Sequence, residues 1–101
     1  MSIVRVGIVG GGQMGAGIAE VCAKAGVDVI VHEITDELAD AARTRVEKSL
    51  GRAVDKGKLE AADRDAALAR MQFVSDLFLM ADRQLVIEAV VENEEVKAEL
   101  F

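Results

Sequence analysis

Short hydrophobic segments alternate along the chain with longer stretches in which apolar residues recur every three or four positions. β-branched residues dominate segments 3–9 and 27–32, and a strongly apolar segment spans 85–91. Such short apolar runs are typical of strands buried in a parallel sheet. A further short strand is predicted at Met71–Val74, and residues 76–83 predict a turn or a single helical turn.

Helical patterns occupy the stretches between these strands. The first helix begins in a cluster of glycines and ends at Gly26, where a left-handed cap is expected. Thr35 is the predicted N-cap of a second, longer helix that ends near Gly57, and a short charged helix is predicted over 59–70. Another helix is predicted from Asn93 onward. The apolar stripes of the first two helices are Met14, Ile18, Cys22 and Ala25, and Leu38, Ala42, Val46, Leu50 and Val54.

This alternation of strands and helices predicts an α/β fold of the Rossmann type, in which right-handed crossovers build a doubly wound parallel sheet. The 101 residues include no proline, and no linker or internal repeat divides them, so we expect one domain over 1–101. Strand 85–91 is expected at an open edge of the sheet, where an unpaired apolar strand favours association with other chains.

Composition narrows the possible partners. Eighteen acidic and twelve basic residues give a net charge of −6, so the chain lacks the basic field that attracts nucleic acids and anionic membranes. The single cysteine cannot form an internal disulfide or a cysteine-based metal cluster. No apolar segment approaches the ~20 residues needed to cross a bilayer. We therefore expect a cytoplasmic protein that binds neither nucleic acid nor membranes, and we assign no metal site.

The most informative motif is G-x-G-x-x-G, which directly follows the first predicted strand and begins a helix. In a dinucleotide-binding unit the first glycine permits a tight turn, the second lets the backbone approach a pyrophosphate, and the third allows helix and strand to pack closely. The dipole and N–H groups of the helix N-terminus then stabilise the phosphate charges. An ordinary tight turn is the alternative. We assign to the cofactor site Gly10, Gly12, Gln13, Met14 and Gly15, and we assign Gly17 to helix packing.

An acidic residue stands at the end of the second predicted strand. Glu33 follows Gly15 by 18 residues, close to the spacing of about 20 expected for a carboxylate that binds the adenosine ribose. Such a carboxylate accepts hydrogen bonds from the ribose hydroxyls and repels a 2′-phosphate, so NAD is favoured over NADP. The alternative is a solvated acid at a strand end. His32, the only histidine, is interpreted as a neighbour of this site and not as a catalytic base.

Two stretches carry a resemblance to a known family. Segment 6–19, with the glycine loop, and segment 85–92 (LVIEAVVE) resemble the N-terminal third of bacterial L-3-hydroxyacyl-CoA dehydrogenases of the 3-hydroxybutyryl-CoA dehydrogenase type. Lys97 and the terminal pair Leu100 and Phe101 continue the match. The resemblance implies an NAD-dependent oxidoreductase of fatty acid metabolism. Such an enzyme transfers hydride between NAD and the 3-hydroxyl carbon of a short-chain acyl-CoA, and we expect a homodimer.

The resemblance also implies roles for individual residues. Glu92 and Lys97 are expected to contact NAD, and Glu92 ends a parallel strand, where ligands of doubly wound sheets bind. Ser49 and Lys56 match positions that contact coenzyme A in the family. With Arg52 they present a hydroxyl and two cations on one helix face, which suits phosphate groups but is equally typical of any solvated helix surface.

The sequence departs from the family in its length. The catalytic His–Glu pair of such enzymes, and their helical domain for substrate binding and dimerisation, correspond to positions beyond residue 101, so we expect no catalytic residue within this chain. Two alternatives stay open. One is a β-hydroxyacid or 6-phosphogluconate-type dehydrogenase domain, and the other is a non-catalytic dinucleotide-binding module. Glu88, within an apolar strand, is interpreted as structural, with a role on the cofactor side as the alternative.

Overall fold

The secondary structure follows the predicted alternation as far as residue 90. A computed structural model of the chain describes residues 3–10, 12–90 and 95–100. A 3-10 turn at Leu77–Met80 lies in the segment for which a turn or one helical turn was expected. The predicted elements up to residue 90 are confirmed, and their ends differ from the predicted ones by at most three residues. The elements are β1 (Arg5–Val9), α1 (Gln13–Lys24), β2 (Asp28–His32), α2 (Asp36–Asp55), α3 (Ala61–Ala69), β3 (Met71–Val74), β4 (Leu85–Val90) and β5 (Glu95–Leu100).

One five-stranded sheet in the order β3-β2-β1-β4-β5 organises the described residues. β1 pairs in parallel with both β2 and β4, and β2 pairs in parallel with β3. The order of the strands therefore reverses between β1 and β4. In open α/β sheets ligands bind at such a switch point, beyond the carboxyl ends of the strands. The predicted Rossmann-type α/β fold is confirmed.

The prediction for the end of the chain is wrong. A strand, β5, replaces the helix expected from Asn93 onward, and it runs antiparallel to β4 with Glu88 and Lys97 as Cα partners. Residues 95–100 alternate charged and apolar types (E-V-K-A-E-L), and this period of two is typical of a strand with one face exposed. The edge of β4 that was expected to be open is occupied by β5. Asn93 itself lies outside the described residues.

The main hydrophobic core lies between the helices and one face of the sheet. Ile8 and Val31 are fully buried in the sheet, and Val46 and Leu50 of α2 are fully buried against the same core. The stripe predicted for α2 is confirmed at these two residues and at Ala42, although Leu38 at its first turn is exposed. None of the described helices is long and apolar enough to span a membrane.

The apolar stripe predicted for α1 is displaced from the face that the helix buries. Ile18 and Cys22 are half-buried at the margin of this face, and Ala25 is exposed. Partial burial raises the pKa of the Cys22 thiol. The stripe is displaced because α1 lies close to the sheet, where small residues fit and larger ones do not. The residues that α1 buries are Gly15, Ala16, Ala19 and Ala23.

The 3-10 turn covers part of the opposite face of the sheet. Met80 packs there against Ile30 and Val86. Glu88, which was interpreted as a structural residue within β4, is half-buried and lies two residues before the end of the strand. It lines an apolar cavity of about 400 Å³ together with side chains of the 3-10 turn.

Candidate functional site

The glycine loop joins β1 to α1 at the carboxyl edge of the sheet. Gly10 has a φ of 101°, a left-handed conformation that favours glycine, and a Cβ there would lie 2.7 Å from the carbonyl oxygen of Ala89. A Cβ on Gly15 would overlap the carbonyl oxygen of Gly10, so α1 can approach the loop only because this residue is glycine. Both observations agree with the turn and packing roles that the motif gives to these two glycines.

The amino ends of α1 and α2 differ in how their N–H groups are satisfied. In α2 the Thr35 hydroxyl accepts a hydrogen bond from the N–H of Leu38 at 3.1 Å, and Asp36 and Glu37 lie in the first turn. α1 follows Gly12, which has no side chain, and its first turn holds no acidic residue. No side chain among the described residues caps α1, so its first N–H groups are available to an anion. This end of α1 fits a pyrophosphate.

Main-chain hydrogen bonds hold the glycine loop beside Glu33. The N–H of Gly10 donates to the carbonyl oxygen of His32 at 2.9 Å, and the N–H of Glu33 donates to the carbonyl oxygen of Val74 at 2.9 Å. Glu33 is half-buried directly after the last residue of β2. The loop expected to bind the phosphates and the acid expected to bind the ribose therefore lie at the same edge of the sheet.

His32 is buried within the fold, with 8% of its surface exposed. Its Nε2 lies 3.2 Å from the carbonyl oxygen of Ser75. A carbonyl oxygen only accepts, so Nε2 is the donor in this contact. Nδ1 has no hydrogen-bond partner among the described residues. The burial of His32 and its bond to Ser75 favour a structural role for this histidine.

A second candidate site is a cavity of about 510 Å³ lined by residues of α1 and α2, which we call the α1–α2 cavity. Ser49 lines it and donates its hydroxyl proton to Oε1 of Glu20 at 2.9 Å. Arg52 lines the same cavity, whereas Lys56 is exposed at the C-cap of α2 and is not among the lining residues. Of the two residues expected to contact coenzyme A, Ser49 therefore lines the cavity and Lys56 does not, while Arg52 of the same helix face lines it as well.

Glu20 and Arg45 also line the α1–α2 cavity but belong to none of the sequence motifs. Gln13, Gly17 and Glu20 are spaced so that they share one face of α1, and this spacing is the signal that could have identified Glu20. The packing role predicted for Gly17 is wrong. Gly17 is exposed, and a Cβ there would meet no described atom within 4 Å. Gly17 instead forms part of the cavity wall.

The other predicted site residues are placed only in part. Gln13 is exposed at the first position of α1, and Met14 follows it half-buried. Glu92 lies outside the described residues. Lys97 was expected one helical turn beyond β4, but its main chain lies on β5 opposite Glu88. The cofactor contacts expected of Glu92 and Lys97 stay predictions. Within the described part of the chain, no group of three or more His, Cys, Asp or Glu residues could hold a metal ion.

These features define a class of protein. A sheet whose parallel strands follow the order β3-β2-β1-β4, with a glycine loop at its first strand-to-helix turn, is the dinucleotide-binding form of the Rossmann fold. Residues 5–101 match the family described as "3-hydroxyacyl-CoA dehydrogenase, NAD binding domain". The chain belongs to this family, and NAD is confirmed as its cofactor.

Individual relatives agree with the family. The 3-hydroxybutyryl-CoA dehydrogenase of Mycobacterium tuberculosis is 57% identical over 100 residues, which cover 99% of this chain and 35% of that protein. The crystal structure of M. tuberculosis FadB2 superposes with a TM-score of 0.88 at 56% identity, over 91% of this chain and 32% of that chain. The (S)-3-hydroxybutyryl-CoA dehydrogenase of Ralstonia eutropha gives a TM-score of 0.86 at 41% identity, over 91% of this chain and 32% of that chain.

The chain spans about a third of the length of the 3-hydroxybutyryl-CoA dehydrogenases it matches, with 35% of the M. tuberculosis enzyme covered. The name of these enzymes is that of the family which the glycine loop and segment 85–92 resemble. These matches give no support to a β-hydroxyacid or 6-phosphogluconate-type dehydrogenase domain.

Proposed function

We propose that the chain is the NAD-binding portion of an NAD-dependent 3-hydroxyacyl-CoA dehydrogenase that acts on substrates of the 3-hydroxybutyryl-CoA and acetoacetyl-CoA type. NAD, when bound, supplies the hydride acceptor for oxidation of the 3-hydroxyl carbon, and NADH supplies the hydride for the reverse reaction. The observation that carries the proposal is the hydrogen bond from Gly10 to His32, which holds the glycine loop beside Glu33.

In this proposal the carboxyl edge of the sheet binds the ADP part of NAD. The first N–H groups of α1 donate to the pyrophosphate, and Glu33 accepts from the ribose hydroxyls. A 2′-phosphate would meet the Glu33 carboxylate with like charge, so the site prefers NAD to NADP. Further contacts with the cofactor are assigned to Gln13, Met14, Glu92 and Lys97.

The acyl-CoA substrate is assigned to Ser49 and Lys56 of α2, at its coenzyme A portion. Proton abstraction from the substrate hydroxyl is not assigned to this chain, because its only histidine, His32, is buried and bonded to Ser75. We place the catalytic His–Glu pair, with the helical domain, outside residues 1–101. The complete enzyme is expected to be a cytoplasmic homodimer.

Titration with NADH and NADPH, followed by nicotinamide fluorescence, tests the cofactor site. The unaltered chain should bind NADH more tightly. Gly12→Val should abolish binding while the helical content is retained, because the branched side chain occupies the space of the pyrophosphate. Gly51→Val is the matched control, since a Cβ at Gly51 meets no described atom within 4 Å. Undiminished binding of NADH to Gly12→Val would contradict the proposal.

The role of Glu33 is tested by reversing its charge. Glu33→Arg should lower the ratio of NADH to NADPH affinity by at least about tenfold, which corresponds to 1.4 kcal/mol. Glu37→Arg makes the same change at an exposed position in the first turn of α2 and should leave the ratio nearly constant. Equal affinity of the unaltered chain for the two cofactors would overturn the assignment of Glu33.

A measurement of turnover tests whether catalysis requires residues outside this chain. The 101-residue chain should bind NADH yet show no oxidation of NADH by acetoacetyl-CoA above the uncatalysed rate. A polypeptide with the full length of the relatives should catalyse the reaction. Turnover by these 101 residues alone would refute the placement of the catalytic pair outside them.

A further inference from the structure

The hydrogen bond between Ser49 and Glu20 determines whether the Ser49 hydroxyl can donate to a ligand in the α1–α2 cavity. A serine within a helix commonly donates to a main-chain carbonyl of the preceding turn. Ser49 instead donates across the helix pair to Oε1 of Glu20 at 2.9 Å, and both residues are half-buried. A serine hydroxyl carries one proton. While this bond is formed, Ser49 has no proton to donate to a ligand.

Glu20 also changes the charge of the cavity. Arg45 and Arg52 line it with two guanidinium groups, and Glu20 is the acidic residue among its described lining residues. Gln13 and Gly17 contribute no charge to the wall formed by α1. An anion in the cavity is therefore attracted by the arginines and repelled by the Glu20 carboxylate. The cavity favours a phosphate less than its arginines alone would.

We propose that Glu20 is a residue that limits the affinity of the α1–α2 cavity for the phosphate groups of coenzyme A. Glu20 does so by accepting the hydrogen bond of the Ser49 hydroxyl and by repelling the negatively charged phosphate. When a phosphate binds, Ser49 exchanges the Glu20 carboxylate for a phosphate oxygen as its acceptor. The inference rests on the proposed function, in which Ser49 contacts the coenzyme A portion of the substrate.

Calorimetric titration of free coenzyme A into the chain tests this role. Glu20→Gln keeps the shape of the side chain and an oxygen that accepts from Ser49, but removes the charge. The affinity for coenzyme A should rise about threefold to tenfold, with the larger gain at low salt. Glu47→Gln is the matched control, because Glu47 is an exposed acid of α2 that does not line the cavity. Its gain should stay below about twofold.

A second pair of variants isolates the hydrogen bond. In the unaltered chain, Ser49→Ala should weaken coenzyme A binding by less than about twofold, because Glu20 already holds the hydroxyl proton. In a Glu20→Ala background the hydroxyl is released, and Ser49→Ala should weaken binding by about fivefold. A purely structural role of Glu20 would lower the thermal midpoint and would not change the effect of Ser49→Ala on affinity.

A gain in coenzyme A affinity for Glu20→Gln beyond that of Glu47→Gln supports the inference, and an equal or lower affinity overturns it. If Glu20→Gln fails to fold, Glu20→Asp replaces it. The shorter acid releases Ser49 but keeps the charge, so it should give a gain of about twofold, and no gain would overturn the inference.

If Ser49→Ala, Arg52→Gln and Lys56→Gln all leave coenzyme A binding unchanged in both backgrounds, the coenzyme A assignment of the proposed function fails as well. The NADH titration reports on the cofactor site separately.

Discussion

The two ends of the parallel strands satisfy their polar groups in different ways. At the amino ends, Arg83 donates to Asp28 at 2.7 Å and to the two carboxylate oxygens of Asp82 at 2.8 and 2.9 Å. Nearby, Oε1 of Gln84 accepts from the N–H groups of Val4 and Arg5 at 2.7 and 3.0 Å. At the carboxyl ends the first turn is built from glycines, and no side chain of the described residues caps α1.

This difference distinguishes an end of the sheet whose polar side chains are paired within the chain from an end whose main-chain donors can bind a ligand. Arg83 is 4% exposed, and its donors are used by neighbouring carboxylates of the same chain. Groups that are paired in this way are not available to a ligand. The carboxyl end retains main-chain donors at the start of α1, and an anion can satisfy them. Glycine makes this possible because it adopts the turn and leaves space for the ligand.

The largest effect is expected from Gly15→Ala at the carboxyl end. The added Cβ would overlap the carbonyl oxygen of Gly10, which is main chain and cannot move aside without disturbing β1. We expect the free energy of unfolding, measured with urea, to fall by about 3 kcal/mol and NADH binding to be lost. Gly51→Ala should instead retain or slightly increase stability, because its Cβ meets no described atom within 4 Å. A Gly15→Ala chain as stable as the unaltered one would contradict this geometry.

A smaller effect, on stability alone, is expected from Arg83→Met at the amino end. The change removes a buried guanidinium whose partners, Asp28 and Asp82, are more than half exposed and can be hydrated. The free energy of unfolding should fall by about 1–2 kcal/mol. NADH affinity should not change, since Arg83 lies at the opposite end of the strands from the glycine loop. A parallel loss of NADH affinity would show that the two ends are not independent.

The ion pair between Arg83 and Asp82 predicts that the stability of the folded chain depends on pH. The hydrogen bond from Arg83 lowers the pKa of Asp82 below its usual value of 3.8. A carboxylate whose pKa is lowered by folding stabilises the folded chain above its unfolded pKa, and this contribution is lost as the pH falls through the folded value. The difference in thermal midpoint between the unaltered chain and Asp82→Asn should therefore narrow below about pH 4. A constant difference from neutral pH to pH ~2 would argue against the ion pair.

The smallest effect is expected from Gly17→Ala on the exposed face of α1. A Cβ there meets no described atom within 4 Å, so only the helix propensity changes. Alanine is more favourable than glycine within a helix by about 0.8–1.0 kcal/mol. The thermal midpoint should rise accordingly. A lower midpoint would restore the packing role that the sequence had suggested for Gly17.

The glycine turn at the carboxyl end could be predicted from the sequence because its requirements are local. A left-handed turn favours glycine, and Gly10, directly after β1, has a φ of 101°. The amino end could not be predicted in this way. Arg83 and Asp28 are 55 positions apart, and nothing in either local pattern indicates that they form a pair.

The sequence predictions for the buried face of α1 and for the segment that forms β5 failed because contacts with other elements decide both. Met14, Ile18 and Cys22 give a stronger apolar signal than Ala16, Ala19 and Ala23, yet only the small residues fit where α1 lies against the sheet. The bond from Ser49 to Glu20 joins two helices and likewise depends on their packing. For β5, the alternation over residues 95–100 and the free edge of β4 outweigh a composition that is also compatible with a helix.

The central claim is that the carboxyl edge, and not the rest of the chain, binds NAD. Amide NMR spectra recorded during titration with NADH test it most directly, because each main-chain N–H reports separately. The largest shifts should occur at Gly10, Gly12, Gln13 and Glu33, whereas the amides of α3 and of Arg83 at the amino end should stay in place. Unperturbed loop amides, or largest shifts at the amino end of the strands, would contradict the claim.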